Sequence, residues 1–361
     1  MPPFKEDRQM SRNRYIYIVI FLIAGFWLIY PRFTVDVTND SQLINKPTGS
    51  GSAAQPKNIA GNSFPTSSFF GFNNYTGYIP GHLPLIISVA HGGHIFPKDV
   101  PTREKNSPNV IISNDINTLE IGKALVKGMV TKFGGRRPYL VFNNLGRSKV
   151  DVNRPFEEGT EPNRTAPNEM SVSQQVWQDY HNFLKRAVEE VKENYGRGLV
   201  IDLHGHAHPE NYVELGYLLP RKTLQLPTHV LNTDPSISSS SSIRALYNRM
   251  VDSVTFTTLL RSEVFSLGGR LQSYGYDTVP SHVHHHPVED ENYISGGFSV
   301  LQYGSRDGNA IDAIQLDLPR ELRVGNSELR KRFIEDLTDI LSWFLSEYYW
   351  GNIENRDEIT S

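Results

Sequence analysis

Leu199-Val-Ile-Asp-Leu203 is a short apolar run that leads directly into the histidine-rich segment His204-Gly-His-Ala-His208. An apolar run of this length, coming after two glycines, predicts a β-strand. The same arrangement occurs earlier in the chain, where the apolar residues 83–89 are followed by Ala90-His91-Gly92-Gly93-His94. Two histidine-rich loops are therefore each expected at the C-terminal end of a strand.

The regions around these strands alternate between helical and extended patterns. Apolar residues recur at helical spacing within residues 121–133, 172–195 and 329–348, and short apolar runs at 139–143 and 314–318 predict further strands. Strands that alternate with helices of this length predict an α/β fold, here a three-layer sandwich around a mixed, largely parallel sheet. Ligands of such sheets bind beyond the C-terminal strand ends, which is where both histidine-rich loops fall.

Composition narrows the possible functions. The 361-residue chain has a formal net charge of −3 and no cysteine. The lack of cysteine excludes disulfides, cysteine nucleophiles and thiolate metal sites, so a metal ion would have to be bound by His, Asp or Glu. The near-zero net charge and the lack of a basic stripe in the sequence argue against nucleic-acid binding.

The N-terminal residues predict a single membrane anchor. Residues 1–14 contain four basic and two acidic side chains, and residues 15–30 are uncharged, mostly apolar and rich in aromatic residues. This stretch is short for a transmembrane helix, but its terminal aromatic residues suit the membrane interface. A cleaved signal peptide is the alternative; we favour the anchor because the stretch ends in Tyr30-Pro31-Arg32 rather than in small residues.

The anchor sets the predicted topology of the chain. Residues 1–14 become a cytoplasmic tail, and the rest lies on the lumenal or extracellular side, as in a type II single-pass membrane protein. Residues 31–68, rich in Ser, Thr, Asn, Gly and Pro, predict a flexible stalk. The folded domain is expected over 69–350, followed by a polar tail at 351–361. Three glycosylation sequons are compatible with this topology: Asn39, Asn74 and Asn163.

His91 and His204 are the main candidates for metal ligands. A hydrolytic zinc site needs about three nitrogen or oxygen ligands and one open position, and strand ends hold such ligands rigidly. Asp115, which precedes the helix predicted within residues 121–133, is a candidate third ligand, and Glu120 is the alternative. Asp115 is equally suited to capping that helix, and spacing alone does not separate the two roles.

A third polar element lies at residues 147–155, with the sequence Arg-Ser-Lys-Val-Asp-Val-Asn-Arg-Pro. Its Asn153-Arg154 pair places an amide donor beside a fixed cation, and arginine forms bidentate contacts with carboxylates. Near a metal ion, this pair would suit a substrate with a free carboxylate. Taken alone, the element is equally compatible with a structural turn held by salt bridges.

Together these elements resemble the N-formylglutamate amidohydrolase family, whose fold is related to those of zinc carboxypeptidases and aspartoacylase. The resemblance covers roughly residues 80–345. It is carried by the following motifs: His91-Gly92-Gly93, Asn114-Asp115, residues 147–155, Ile201-Asp202-Leu203-His204-Gly205, Ser295-Gly-Gly-Phe298, Tyr303-Gly304 and Ala313-Ile-Gln-Leu-Asp317.

The resemblance implies a hydrolase that cleaves the amide of a small N-acyl amino acid or peptide-like substrate, using one zinc ion. By this resemblance, the zinc ligands are His91, Asp115 and His204. Asn153 and Arg154 are implied to bind the substrate carboxylate, and Arg147 to stabilise the oxyanion. Asp317 takes the position of the carboxylate that moves the proton from water to the leaving nitrogen.

Several features leave alternatives open. The family pattern leads us to expect Glu at the position of Asp317, whose side chain is one methylene shorter. A catalytically silent binding protein that keeps the pocket is therefore a second hypothesis, and a fold with purely structural histidines is a third. The histidine-rich loop at residues 282–286 suits either a solvated loop or loose metal binding. The serine run at residues 238–242 predicts a solvent-exposed loop.

Overall fold

The structure is a computed structural model that describes residues 67–103 and 110–350. Its strands are β1 (Phe69–Phe70), β2 (Thr76–Ile79), β3 (Leu85–Val89), β4 (Tyr139–Asn143), β5 (Gly198–Gly205), β6 (Val213–Gly216), β7 (Thr278–Val279) and β8 (Ile311–Leu318). They form one eight-stranded sheet in the order β1-β2-β4-β3-β5-β8-β6-β7, with β1 and β7 at the edges. The pairs β3/β4, β3/β5, β5/β8 and β6/β7 are parallel and the others are antiparallel. The mixed, largely parallel sheet is confirmed.

Helices cover both faces of this sheet. They are α1 (Thr118–Lys132), α2 (Phe156–Gly159), α3 (Val172–Tyr195), α4 (Arg221–Leu224), α5 (Thr228–Thr233), α6 (Pro235–Ser240), α7 (Arg244–Met250), α8 (Phe256–Arg261), α9 (Leu267–Ser273), α10 (Phe298–Tyr303), α11 (Arg320–Val324) and α12 (Ser327–Leu345). Because successive strand residues point to opposite faces, Ile87 and Ile201 pack with α1 and α12, whereas Ile86 and Val200 pack with α3. The three-layer arrangement is therefore confirmed.

The ends of α3 follow from local sequence signals. Ser171 accepts a hydrogen bond from the Gln174 backbone, and the Gln174 side chain accepts one from the Ser171 backbone, which is a complete capping box. The helix ends at Gly196, whose φ of 68° lies in the left-handed region that glycine adopts without steric cost. The helix covers residues 172–195, the segment in which helical spacing was predicted.

Some elements differ from the sequence-based prediction. The serine run is not a solvent loop: Ser238, Ser239 and Ser240 belong to α6, and Ser241 and Ser242 are fully buried. The backbone of Ser242 bonds to residues in two neighbouring segments of the chain, with its N–H donating to the Tyr217 carbonyl and its carbonyl accepting from the Ala313 N–H. These tertiary hydrogen bonds satisfy the backbone at a site that the local composition marks as solvated.

The predicted anchor at residues 15–30 and most of the predicted stalk lie outside the described residues, as do the cytoplasmic and polar tails. Within residues 67–103 and 110–350, no helix combines the length and the apolar composition needed to span a bilayer. Among the sequons, Asn39 also lies outside the described residues, Asn74 is exposed and Asn163 is partly buried.

Candidate active site

The predicted metal ligands converge at the C-terminal ends of β3 and β5. His91 follows β3, His204 lies near the end of β5, and Asp115 lies in the loop before α1. All three are buried, with exposed fractions of 1%, 3% and 5%, respectively. They form one of two groups among the described residues that could hold a metal ion. Glu120, the alternative ligand, is exposed in the first turn of α1.

The donor atoms of these three residues are close to one another. The distance between His91 Nδ1 and His204 Nδ1 is 3.1 Å, and His204 Nδ1 lies 3.1 Å from Asp115 Oδ2. His91 Nδ1 lies 3.4 Å from the same Asp115 oxygen. Two ring nitrogens and one carboxylate oxygen therefore face a common point.

The outer nitrogen of each histidine bonds to a buried carboxylate. His91 Nε2 lies 2.7 Å from Asp151 Oδ1, and His204 Nε2 lies 2.9 Å from Asp202 Oδ2. These acceptors assign the proton of each neutral ring to Nε2, which leaves a lone pair on each Nδ1. Carboxylates orient the histidine ligands of metal ions in the same way.

The electrostatics of the site favour positive charge. Burial lowers the pKa of His204, but the carboxylates of Asp202 and Asp115 outweigh burial and raise this pKa well above its usual value. Burial likewise opposes ionisation of Asp115, but hydrogen bonds and charge from His204 and His91 hold its pKa well below the usual range. A cation, whether a proton or a metal ion, is thus stabilised where the three residues meet.

Asp151 links His91 to two arginines. Its Oδ1 accepts hydrogen bonds from His91 Nε2 and from the Asn153 backbone N–H at 3.0 Å. Its Oδ2 accepts from Arg147 Nε at 2.9 Å and from Arg103 Nη1 at 3.4 Å. Burial raises the pKa of Asp151, yet His91 and the two arginines outweigh this effect and hold it well below the usual range.

Arg147 and Asn153, both predicted from the sequence, also lie at this centre. Arg147 Nη1 is 4.0 Å from Asp115 Oδ1, so its guanidinium forms ion pairs with both Asp115 and Asp151. Asn153 Nδ2 lies 3.2 Å from His204 Nε2, and Asn153 Oδ1 accepts the Ser299 backbone N–H at 2.8 Å.

Arg154 lies next in the chain and is partly buried. Its Nη1 donates to the Asn153 carbonyl at 3.0 Å, and its own carbonyl accepts the Trp177 indole N–H at 2.9 Å. The binding of a substrate carboxylate by Asn153 and Arg154 stays a prediction.

Asp317 lies in the same row of the sheet as His204. It is the Cα partner of His204 on β5 and of Glu214 on β6, so the three side chains share one face. Its Oδ2 accepts a hydrogen bond from Gln315 Nε2 at 2.8 Å. Burial raises the pKa of Asp317 to about 8, with His204 opposing and Glu214 reinforcing the increase.

A second histidine group lies beside the first. His206 uses both ring nitrogens within the protein, since Nε2 bonds to the Tyr212 carbonyl at 2.8 Å and Nδ1 accepts the His208 backbone N–H at 3.0 Å. His208 Nδ1 lies 2.6 Å from Glu214 Oε1, and Glu214 Oε2 accepts the Ile294 N–H at 2.7 Å. Although this group has the composition of a metal site, its hydrogen bonds mainly fix the loop that follows β5.

The histidine-rich loop at residues 282–286 is separate from both groups. Val283 and His285 are exposed, and the other three residues are partly buried. Among the described residues, none of the histidines of this loop joins a group that could hold a metal ion. These positions are compatible with a solvated loop.

A cleft of about 560 Å³ opens beside the centre. Its polar lining includes Asp115, Arg147, His206, His208, Arg320 and Arg323, and its apolar lining includes Phe96, Ile111, Ile112, Ile116, Ile294 and Val324. Asp317, only 1% exposed, is not one of the described residues that line it. A molecule in this cleft would contact the candidate ligand Asp115 directly.

Sequence reasoning missed the supporting carboxylates of the site. Asp151 and Asp202 appeared in the quoted motifs without a role, and Arg103 was not singled out. One signal was available: Asp202 and His204 are two positions apart on a strand, so their side chains must share a face. The contact between Asp151 and His91 spans 60 positions, and no local pattern reveals it.

This fold and site place the chain among α/β enzymes whose polar residues gather at the C-terminal ends of parallel strands. A sequence model of the N-formylglutamate amidohydrolase family matches residues 83–323, and the chain belongs to this family. It is therefore a hydrolase that acts on amide bonds. The family resemblance carried by the sequence motifs is confirmed.

Solved structures show more distant similarity. The crystal structure of N-formylglutamate amidohydrolase from Ralstonia eutropha JMP134 is 15% identical, with a TM-score of 0.43 over 76% of this chain and 97% of that chain. A gene product from Agrobacterium tumefaciens is 13% identical, with a TM-score of 0.42 over 76% of this chain and 95% of that chain. No curated protein matches the chain. Membership of the family rests on the sequence model.

Proposed function

We propose that the protein is a zinc-dependent amidohydrolase that cleaves a small N-acyl amino acid or peptide-like amide with a free carboxylate. One observation carries this proposal. The Nδ1 atoms of His91 and His204 and one oxygen of Asp115 face a common point, while buried carboxylates hold both Nε2 atoms.

The donor set fits zinc. Zinc binds histidine nitrogen and carboxylate oxygen at about 2.0–2.2 Å in tetrahedral sites, which places ligand atoms about 3.3 Å apart. The observed separations are 3.1, 3.1 and 3.4 Å. Three protein ligands also leave a fourth position for water or substrate, as in catalytic rather than structural sites. His91, Asp115 and His204 would hold the ion.

When bound, zinc would lower the pKa of water and polarise the amide carbonyl. The Arg147 guanidinium lines the cleft and lies within 4.0 Å of Asp115, where it would stabilise negative charge on the carbonyl oxygen. Asp317 stays the predicted carboxylate that moves the proton from water to the leaving nitrogen, and it is the strand partner of His204 on the same face of the sheet. Asn153 and Arg154 stay the predicted ligands of the substrate carboxylate.

The proposal also places the enzyme at a membrane. Residues 15–30 would anchor the chain as a type II protein, with the catalytic domain on the lumenal or extracellular side. The support for this placement comes from the charge and apolar pattern of residues 1–30 alone.

Metal content and turnover test the proposed function together. The full-length chain, purified without a histidine tag, is expected to carry about one zinc per chain, which the variant His91→Ala/His204→Ala loses. Hydrolysis of N-acyl amino acids should follow the zinc content. A folded wild-type chain that binds no zinc and hydrolyses none of these amides would contradict the proposal.

The variant Asp317→Glu separates the enzyme from a silent binding protein. If the short carboxylate limits proton transfer, the added methylene should raise kcat severalfold. Asp317→Asn, which cannot accept the proton, should abolish turnover while zinc binding persists. A binding protein without catalysis would show no turnover in the wild type or in either variant.

A further inference from the structure

Exposed apolar side chains line the cleft beside the proposed metal centre. Phe96, Ile116 and Ile111 line it, and their exposed fractions are 52%, 49% and 45%. Val324 and Ile294 extend the same lining. A contiguous exposed apolar patch next to a candidate active site indicates a binding surface.

Buried polar contacts hold this apolar wall in place. Buried Arg323 donates to the Ile116 carbonyl at 2.8 Å, and buried Arg103 donates to the Ile111 carbonyl at 3.1 Å. Ile116 directly follows the candidate ligand Asp115, and both residues line the cleft. Hydrogen bonds therefore fix the backbone that carries the exposed side chains of Ile116 and Ile111.

Phe96 is held from another side of the cleft. Its predecessor Ile95 pairs with Leu145 in an isolated parallel bridge. The Phe96 ring packs over Gly146, where any side chain would collide with it. Gly146 directly precedes Arg147, so the Phe96 ring packs against the residue next to the proposed oxyanion ligand. The missing side chain at Gly146 makes room for the ring.

Arg320 places a positive charge in the same cleft. It lines the same cleft and is exposed, and its side chain makes no hydrogen bond or ion pair with any residue that the structure describes. Val324 lies four positions later in α11, so the cation and an apolar residue share one helix face. By contrast, Arg147 and Arg323 are buried and already bonded to protein groups.

We propose that the substrate is amphipathic: its apolar acyl chain lies on the wall formed by Phe96, Ile111, Ile116 and Val324. Its carboxylate pairs with Arg320, which lines this cleft, in place of the Asn153-Arg154 pair predicted from the sequence. This inference rests on the proposed amidohydrolase function and names its substrate class, N-acyl amino acids with medium or long acyl chains. Asp115 lines the same cleft as the wall and Arg320, so the amide between the acyl chain and the carboxylate would lie beside the proposed metal centre.

Acyl-chain length tests the wall. Each methylene that leaves water contributes about a fourfold gain in binding, so kcat/KM for N-octanoylglycine should exceed that for N-acetylglycine by at least about tenfold. Phe96→Ser should lower this octanoyl-to-acetyl ratio severalfold. Phe265→Ser, which removes an aromatic side chain of similar exposure (42%) outside the described cleft lining, should leave the ratio unchanged. Equal hydrolysis of both substrates, with a ratio that Phe96→Ser does not alter, would overturn the proposal.

A second experiment tests which arginine binds the substrate carboxylate, Arg320 or Arg154. Arg320→Gln should raise KM about tenfold for N-octanoylglycine but not for N-octanoylglycinamide, which lacks the carboxylate. If Arg154→Gln has this effect and Arg320→Gln does not, the assignment of Arg320 is overturned.

Binding without turnover separates this inference from the proposed function. Calorimetric titration of the metal-free, full-length chain with N-octanoylglycine should give binding that Phe96→Ser and Arg320→Gln each weaken. If this binding occurs but the zinc-loaded chain hydrolyses no amide, the proposed function fails and the amphipathic site stands. If short amides are hydrolysed but N-octanoylglycine neither binds nor reacts, the amphipathic site fails and the amidohydrolase stands.

Discussion

Asp151→Asn is the most informative single substitution at the proposed metal centre. The carboxylate of Asp151 has four partners, and all of them donate hydrogen bonds to it: His91, Asn153, Arg147 and Arg103. An asparagine of the same shape must turn its NH2 group toward one of these two sides. It then opposes either the His91 and Asn153 N–H groups or the two guanidinium groups.

Two magnitudes follow from this geometry. Loss of a carboxylate that orients a metal-binding histidine weakens metal affinity by about 10- to 100-fold, or about 1.4–2.7 kcal/mol. Arg103 and Arg147, with exposed fractions of 4% and 8%, also lose their shared counter-charge. Removal of one partner from a buried ion pair costs about 3 kcal/mol of unfolding free energy or more. The Asp151→Asn variant should therefore show both a lower zinc affinity and a lower unfolding free energy.

The assay measures zinc affinity by competition with a chromogenic chelator and unfolding free energy by urea titration of the metal-free chain. Asp339→Asn is the matched control, because Asp339 pairs with Lys132 at 2.7 Å where both side chains are about half exposed. That pair contributes about 1 kcal/mol or less and lies on the surface. An Asp151→Asn chain with wild-type zinc affinity would refute the role given to Asp151.

Three further predictions concern stability. Burial lowers the pKa of His181 to about 4, so between pH 6.5 and 4 the unfolded state binds a proton that the folded state does not. Through this group, the unfolding free energy of the metal-free chain should fall by about 1.3 kcal/mol between pH 7.5 and 5.5. In urea titrations, His181→Gln should flatten this pH dependence. A methyl group at Gly205 would collide with the Arg323 guanidinium, so Gly205→Ala should lower the unfolding free energy by about 2 kcal/mol, and an unchanged Tm would argue against this clamp. Ser171→Ala breaks the capping box of α3 and should cost about 1 kcal/mol in the same titration.

The central layers of the fold were predictable because their patterns are long and periodic. The strands β3, β4, β5 and β8 are buried apolar runs, and α3 combines helical spacing with a cap at each end. The outer strands were missed, since β1 and β7 contain two residues each and carry no periodicity. The short helices α4 to α9 were also missed, because tertiary contacts rather than local pattern stabilise segments of four to seven residues.

The candidate site also contains residues that local sequence patterns predict and contacts that they do not. His91 and His204 were predictable because a strand and a glycine mark each position. The structure brings Asp115 to both histidines and leaves Glu120 exposed, a distinction that spacing did not make. The contact between Asp151 and His91 depends on the folded chain, so sequence alone could name the motif but not the hydrogen bond.

The order of the sheet has a consequence for association between copies of this protein. Unpaired strand edges are templates for intermolecular β-pairing, and long flat edges promote aggregation. Here the two edges of the described sheet, β1 and β7, offer two residues each. The Arg186 guanidinium lies 4.7 Å from the ring centroid of Phe69 at one edge, which adds charge where an approaching strand would dock. The domain is thus expected to tolerate high local concentration without strand exchange between neighbours.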